Sequence, residues 1–209
     1  MEKLMYFFSH IDAFPFESVF SGLDYPCQVL DRLKALMLDS EIVIGANTKI
    51  HPSAEIAAPV WIGNNCEIGH AALIRPYTII GDNCSVGHGS EVKHSILMNG
   101  AKVSSLAFVG DSILGNSARV GSGAITANRK FNQTDIKLNG EALGSDFFGV
   151  ILGDHSRLGA NSVTLPGTHI GQYTWVFPMT VASGSVPSRK RVSSNAKMVI
   201  TDNTPVELK

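Results

Sequence analysis

Arg75 and Lys93 stand eighteen residues apart, and each directly follows an aliphatic residue, Ile74 and Val92. In a fold that repeats every eighteen residues, these two cations would stack on one face. Like charges so close repel unless something anionic lies between or beside them. A phosphate or carboxylate ligand would supply that anion, and the arginine could bind it in bidentate fashion. The alternative is internal: Glu91 and Asp111 would neutralise the pair. His70 and His88 share the eighteen-residue interval, two places after Ile68 and Val86, so both should point outward. His94 follows His88 by six and falls on a different side, so only two histidines share a column and a zinc site is not expected. No GxxxxGK[ST], GxSxG or HExxH motif occurs, which leaves nucleotide hydrolysis and serine or zinc hydrolase chemistry without support.

The element able to hold such columns is a short strand repeated every six residues. Stepping by six from Ile44 meets Ile50, Ile56, Ile62, Ile68, Ile74, Ile80, Val86, Val92 and Met98. Small residues recur four places after most of these, Cys66 and Cys84 among them, so both thiols read as packing residues. The phase slips between Val109 and Leu114 and returns at Leu152, Leu158, Thr164, Ile170, Val176 and Ala182. An α-helix cannot carry this pattern, because six residues turn it through about 600° and scatter the aliphatics over every face. Short strands meeting at small or Gly-bearing turns can. The expected fold is all-β, a single-stranded parallel β-helix whose coils stack at a spacing of ~4.8 Å.

Three stretches escape the repeat. Residues 1–41 are aromatic-rich and end in one amphipathic helix (Val29, Leu30, Leu33, Leu36, Met37), with Asp24 as its N-cap. They are expected to cap the first coil. The β-helix should run over 42–186, interrupted by a polar insertion at about 127–149 that leaves on one face. Residues 187–209 form a tail opening with Arg189, Lys190 and Arg191. The balance of 17 basic and 18 acidic residues gives no field for nucleic acid, and no apolar run approaches the ~20 residues of a membrane span. Three cysteines without a CxxC pair fit a cytoplasmic protein with reduced thiols.

The repeat resembles the hexapeptide-repeat acyltransferase superfamily, and that resemblance implies three hexads per coil and left-handed winding. From Arg75 to Asn128 the likeness narrows, on the RP at 75, SEVK at 90, VGDS at 109 and GSGAITAN at 121. This stretch is similar to the acetyltransferase half of bifunctional N-acetylglucosamine-1-phosphate uridyltransferase and to the C-terminal domains of archaeal sugar-1-phosphate nucleotidylyltransferases. The resemblance implies that Arg75 and Lys93 bind the phosphate of an amino-sugar phosphate or nucleotide sugar. It places Ser122, Asn128 and Ala160 beside acetyl-CoA or another acyl-CoA. It also implies a homotrimer with shared sites. The forty N-terminal residues cannot hold a nucleotidylyltransferase domain, so a separate nucleotidylyltransferase is a candidate partner.

Departures from the family pattern bear on the chemistry. Ser105 occupies the place of the family's general-base histidine, Phe108 that of a substrate-contacting tyrosine, and Arg119 that of an asparagine. A serine hydroxyl is far too weak to take a proton from an attacking amine, a service commonly worth 10²–10⁴ in rate. Either His88 or His155 acts instead, or the chain is a catalytically impaired sugar-phosphate-binding or assembly trimer.

Overall fold

The computed structural model describes residues 3–38, 41–138 and 140–195. Its body is a parallel β-helix of three long sheets, two of eight strands and one of seven. The first face starts at Ile42–Ile44 and ascends through Val60–Ile62, Thr78–Ile80 and Ile96–Leu97 towards Ser185–Val186. The second runs from Lys49–Ile50 through Ser85–Val86, Lys102–Val103 and Arg119–Val120 to Arg191–Val192. The third runs from Glu55–Ile56 through Leu73–Ile74, Glu91–Lys93 and Phe108–Gly110 to Val181–Ala182. Paired strands therefore continue to Val192, past the end expected at 186, because Arg191 and Val192 pair with Trp175 and Val176.

Inward aliphatics from all three faces fill the axis, among them Ile62, Ile68, Ile74, Val86, Val92 and Val109. The expected step to Met98 fails by one residue. Ile80 pairs with Leu97 and Val92 with Val109, so these coils take seventeen residues and Leu97 points inward in place of Met98. Cys66 and Cys84 lie inside as expected, and their thiols donate to the carbonyls of Gly81 and Met98 at 3.0 and 3.1 Å. The insertion folds as an antiparallel pair, Lys137–Leu138 with Glu141–Ala142, closed at its base by a bridge between Arg129 and Phe147.

The N-terminal segment has the expected helix, Gln28–Leu36, but in an unexpected place. Its residues Phe7, Phe8, Phe14, Phe20 and Leu33 pack along the outside of the first face, against Ile79, Ile96, Ile113 and Ile151. Among the described residues none caps the first coil, where Ile42, Val43 and Ile44 are 40–50% exposed. The reason lies in the sequence. The first-face strands carry adjacent apolar pairs (Ile79-Ile80, Ile96-Leu97, Ile113-Leu114, Ile151-Leu152), apolar on both sides, and such strands need covering on both sides. Polar ties fix the segment: Ser9 N–H donates to Asp154 (2.8 Å), and Asn99 donates to the Ala13 carbonyl (2.7 Å). Cys27, not Asp24, is the helix N-cap and makes no side-chain capping bond; Tyr25 N–H instead donates to the Gln28 side-chain Oε1 at 3.3 Å. Among the described residues no helix is long and apolar enough to cross a membrane.

Candidate active site

Arg75 directly follows the strand Leu73–Ile74, Lys93 ends the strand Glu91–Lys93, and both line a cleft of about 820 Å³. One wall is the N-terminal helix, with Gln28, Asp31 and Lys34; the opposite wall is the insertion, with Ser145, Asp146 and Phe147. Each cation already has a carboxylate: Arg75 meets Glu91 at 2.9 Å and Lys93 meets Asp111 at 3.3 Å. The internal-neutralisation alternative is therefore what the structure contains. The Arg75–Glu91 pair is exposed, a kind worth only about 0–1 kcal/mol, whereas Lys93 meets a carboxylate that is buried. Lys93 Nζ also lies 4.6 Å from the centre of the Phe147 ring, and Arg129 lies 4.7 Å from it.

Asp111 is the hub of this corner. It is 3% exposed and holds a left-handed φ of 46°. It accepts from Lys93, from His94 Nδ1 at 2.7 Å and from Asn128. Burial pushes its carboxyl up, but the hydrogen bonds of His94 and Asn128 and the charge of Lys93 outweigh it and hold it below the usual range. His94 Nε2 faces the Leu30 carbonyl at 2.9 Å. Both ring nitrogens of His94 therefore face oxygen acceptors. The network joins helix, β-helix and insertion around the two cations.

The other edge of the third face carries a second column. There the N–H of Gly89 bonds the His70 carbonyl, Leu106 that of His88, Gly123 that of Ser105 and Asn161 that of Ser122, so His70, His88, Ser105 and Ser122 stack coil upon coil, with Ala160 next. The His70 and His88 rings stack with centroids 4.9 Å apart, and His51 adds a third ring edge-on to His70 at 5.1 Å. His88 Nδ1 lies 3.0 Å from the His70 carbonyl and 2.9 Å from His70 Nδ1. A proton on His88 Nδ1 would satisfy both of these acceptors and would leave Nε2 as the basic nitrogen.

The structure therefore gathers Arg75, Lys93 and Asn128 at one edge, and His88, Ser122 and Ala160 at the other. A tight turn and the short third-face strand separate them, five residues along the chain from His88 to Lys93. Asn128 stands with the cations rather than with Ser122 and Ala160, because its amide is tied to Asp111. His155 belongs to neither group; its φ of 60° turns it out at the remaining corner, where it stacks on Tyr173 at 4.8 Å. Sequence reasoning missed Phe147 and the role of His94. The signal for His94 was the seventeen-residue coil, which sets it beside Asp111. Among the described residues no group of three or more His, Cys, Asp or Glu is arranged to hold a metal ion.

The sequence model of the GMPPB C-terminal domain matches residues 56–206. The chain belongs to that family. An uncharacterized acetyltransferase of Escherichia coli, YaiX, is 34% identical over 165 residues, which span 77% of this chain and 72% of that one. A bifunctional sugar-1-phosphate nucleotidylyltransferase/acetyltransferase of Sulfurisphaera tokodaii is 36% identical over 100 residues, 46% of this chain and 25% of that one. The bifunctional protein GlmU of Methanocaldococcus jannaschii is 33% identical over 113 residues, covering 53% and 28%. This GMPPB C-terminal-domain protein thus spans about a quarter of the length of its bifunctional relatives. With the repeat, these relatives place it in the hexapeptide-repeat acyltransferase superfamily. Among solved structures, the N-acyltransferase AntD of Bacillus cereus aligns with a TM-score of 0.46 at 18% identity, covering 84% of this chain and 89% of that one.

Proposed function

We propose that this protein transfers an acyl group, acetyl in the simplest case, from a coenzyme A thioester to the amine of an amino-sugar phosphate or nucleotide sugar. The observation that carries the reading is the His88 imidazole, one coil from Ser105, its Nδ1 held 3.0 Å from the His70 carbonyl, which leaves Nε2 to serve as the base. The phosphate lies on Arg75 and Lys93, and the sugar extends along the third face towards His88. The amine nitrogen attacks the thioester carbonyl carbon while His88 Nε2 takes its proton. Backbone N–H groups at the coil corner stabilise the oxyanion. The carbon–sulfur bond then breaks, the imidazolium returns its proton to the thiolate, and amide and free thiol leave. The exposed apolar residues Leu106, Ile125, Met179 and Val181 support assembly as a homotrimer. The larger bifunctional relatives support a separate nucleotidylyltransferase as partner.

The test is release of free thiol from acetyl-CoA in the presence of glucosamine-1-phosphate and a panel of amino-sugar phosphates and amino nucleotide sugars. His88→Gln should cut turnover by about 10²–10⁴ and remove the basic ionisation from the pH–rate profile. No thiol release across the panel would sink the reading. Ser105 and the two internal ion pairs favour a second reading, a binding or assembly trimer without turnover. It predicts sugar-phosphate binding, weakened by Lys93→Ala, with no thiol released at any pH.

A further inference from the structure

The inward columns of the β-helix open to solvent at its first coil. In the second coil Ile62, Ile68 and Ile74 are at most 1% exposed. Their counterparts one coil earlier in the same columns are Ile44, Ile50 and Ile56. Ile44 is 46% exposed, and the other two are only half-buried. The backbone is open there as well. The N–H groups of Gly45, Lys49, His51, Glu55 and Ala57 all bond second-coil carbonyls, at 2.8–2.9 Å. Backbone groups alternate in direction along a strand, so those of Ile42, Ile44, Ile50 and Ile56 turn towards the open end. Among the described residues no strand pairs with that side. Unpaired donors and acceptors around an apolar interior are a template for further strands.

We propose that the first coil docks a second copy of this chain, head to head, about a two-fold axis at right angles to the helix axis. An axis passing beside Val43 lays the first-face strand Ile42–Ile44 on its own copy in antiparallel sense. Ile42 then faces Ile44 of the second copy, and these are the residues whose N–H and C=O groups are open, so the two exchange a pair of hydrogen bonds. Val43 meets its own copy at the axis. A surface that fits itself in this way closes as a dimer.

The same rotation lays the second face of one copy on the third face of the other. The outward residues there are Lys49 on the second face and Glu55 on the third, both exposed. Each copy therefore brings a cation to the other's carboxylate, twice across the interface. Stacking head to tail fails the same test. It would set Lys49 next to Arg191, at the end of a row that already holds Lys102, Arg119 and Arg157. Like charges directly opposite one another destabilise a sheet, and a head-to-tail contact of this kind leaves open ends. Charge complementarity thus selects the closed pair. The homotrimer of the proposed function uses the sides of the coils, so this end contact doubles it and is independent of acyl transfer.

Sedimentation equilibrium of the full chain should show an even number of chains, dissociating into equal halves on dilution. Val43→Asp places two carboxylates opposite each other at the axis and should raise the dissociation constant of the halves about tenfold or more. Lys49→Glu and Glu55→Lys each set like charges together at two places and should weaken association about tenfold. The double variant Lys49→Glu/Glu55→Lys should regain the affinity of the unmodified chain. Glu67→Gln, one coil further along the second face, should leave it unchanged. All these side chains are exposed, and an unchanged urea midpoint in dilute protein checks that each variant folds. An odd number of chains in the unmodified protein overturns the proposal, as does a mass that none of the variants alters. So does a double variant as weak as the single ones, since Lys49 and Glu55 would then not meet.

Discussion

Replacing Asp111 by Asn tests whether the hub of the cation corner is electrostatic or merely shape-filling. Asparagine has nearly the same volume and tolerates the left-handed φ of 46° that position 111 requires, so the backbone is not strained. What changes is acceptor capacity. The carboxylate accepts from Lys93, His94 and Asn128, whereas the amide keeps one accepting oxygen and turns its NH₂ towards a donor. A hydrogen bond to a charged group is worth about 1.5–3 kcal/mol, and breaking a buried ion pair costs about 3–5. Lys93 is 24% exposed at its side chain and can rehydrate, which places the expected loss at the lower end, about 3 kcal/mol. For a chain of this size that is roughly 6–12 °C in Tm. Urea titration at fixed protein concentration, followed by circular dichroism, should show a lower midpoint with an unchanged slope. The sign with pH follows from the depressed carboxyl of Asp111. Its contribution is complete above the ordinary carboxylate range and is lost as pH falls through that range and below it, so the difference between the two proteins should shrink in acid. A loss under about 1 kcal/mol, or one that does not shrink in acid, would refute the argument.

Two further predictions concern the frame around the site. Leu33→Ala removes a fully buried side chain from the helix covering the first face and should cost about 2–5 kcal/mol. Limited proteolysis should then cut first within residues 3–38, and uniform cutting along the β-helix would contradict a separately packed flank. The three thiols should resist a disulfide reagent in the folded protein, since Cys66 and Cys84 are 2% exposed and burial pushes Cys27 up to about 11. All three should react once urea unfolds the chain, and fast reaction of any thiol before unfolding would show that its coil opens.

The β-helix was legible because its physics is local and periodic. An inward aliphatic every six residues leaves no other element that can bury them all, and the columns at Arg75/Lys93 and His70/His88 followed directly. What stayed hidden needed either a count of one residue or a contact across long sequence separation. The coil of seventeen moved the inward position from Met98 to Leu97, and with it set His94 opposite Asp111, a pairing that a strict eighteen-residue step misses by one. The flank position of the N-terminal segment was present in the sequence as the doubled aliphatics of the first face, but a search for one inward residue per hexad passes over the residue beside it. The second-face cations were hidden for the same reason. Lys102, Arg119 and Arg157 are spaced by 17 and 38 residues, because the insertion adds its length between two strands that are neighbours in the sheet. A period sought at constant interval cannot see across that break, whereas the sheet registers it as one step. An insertion in a solenoid therefore conceals every column that crosses it, and here all three faces make the same jump of 38 residues between neighbouring strands.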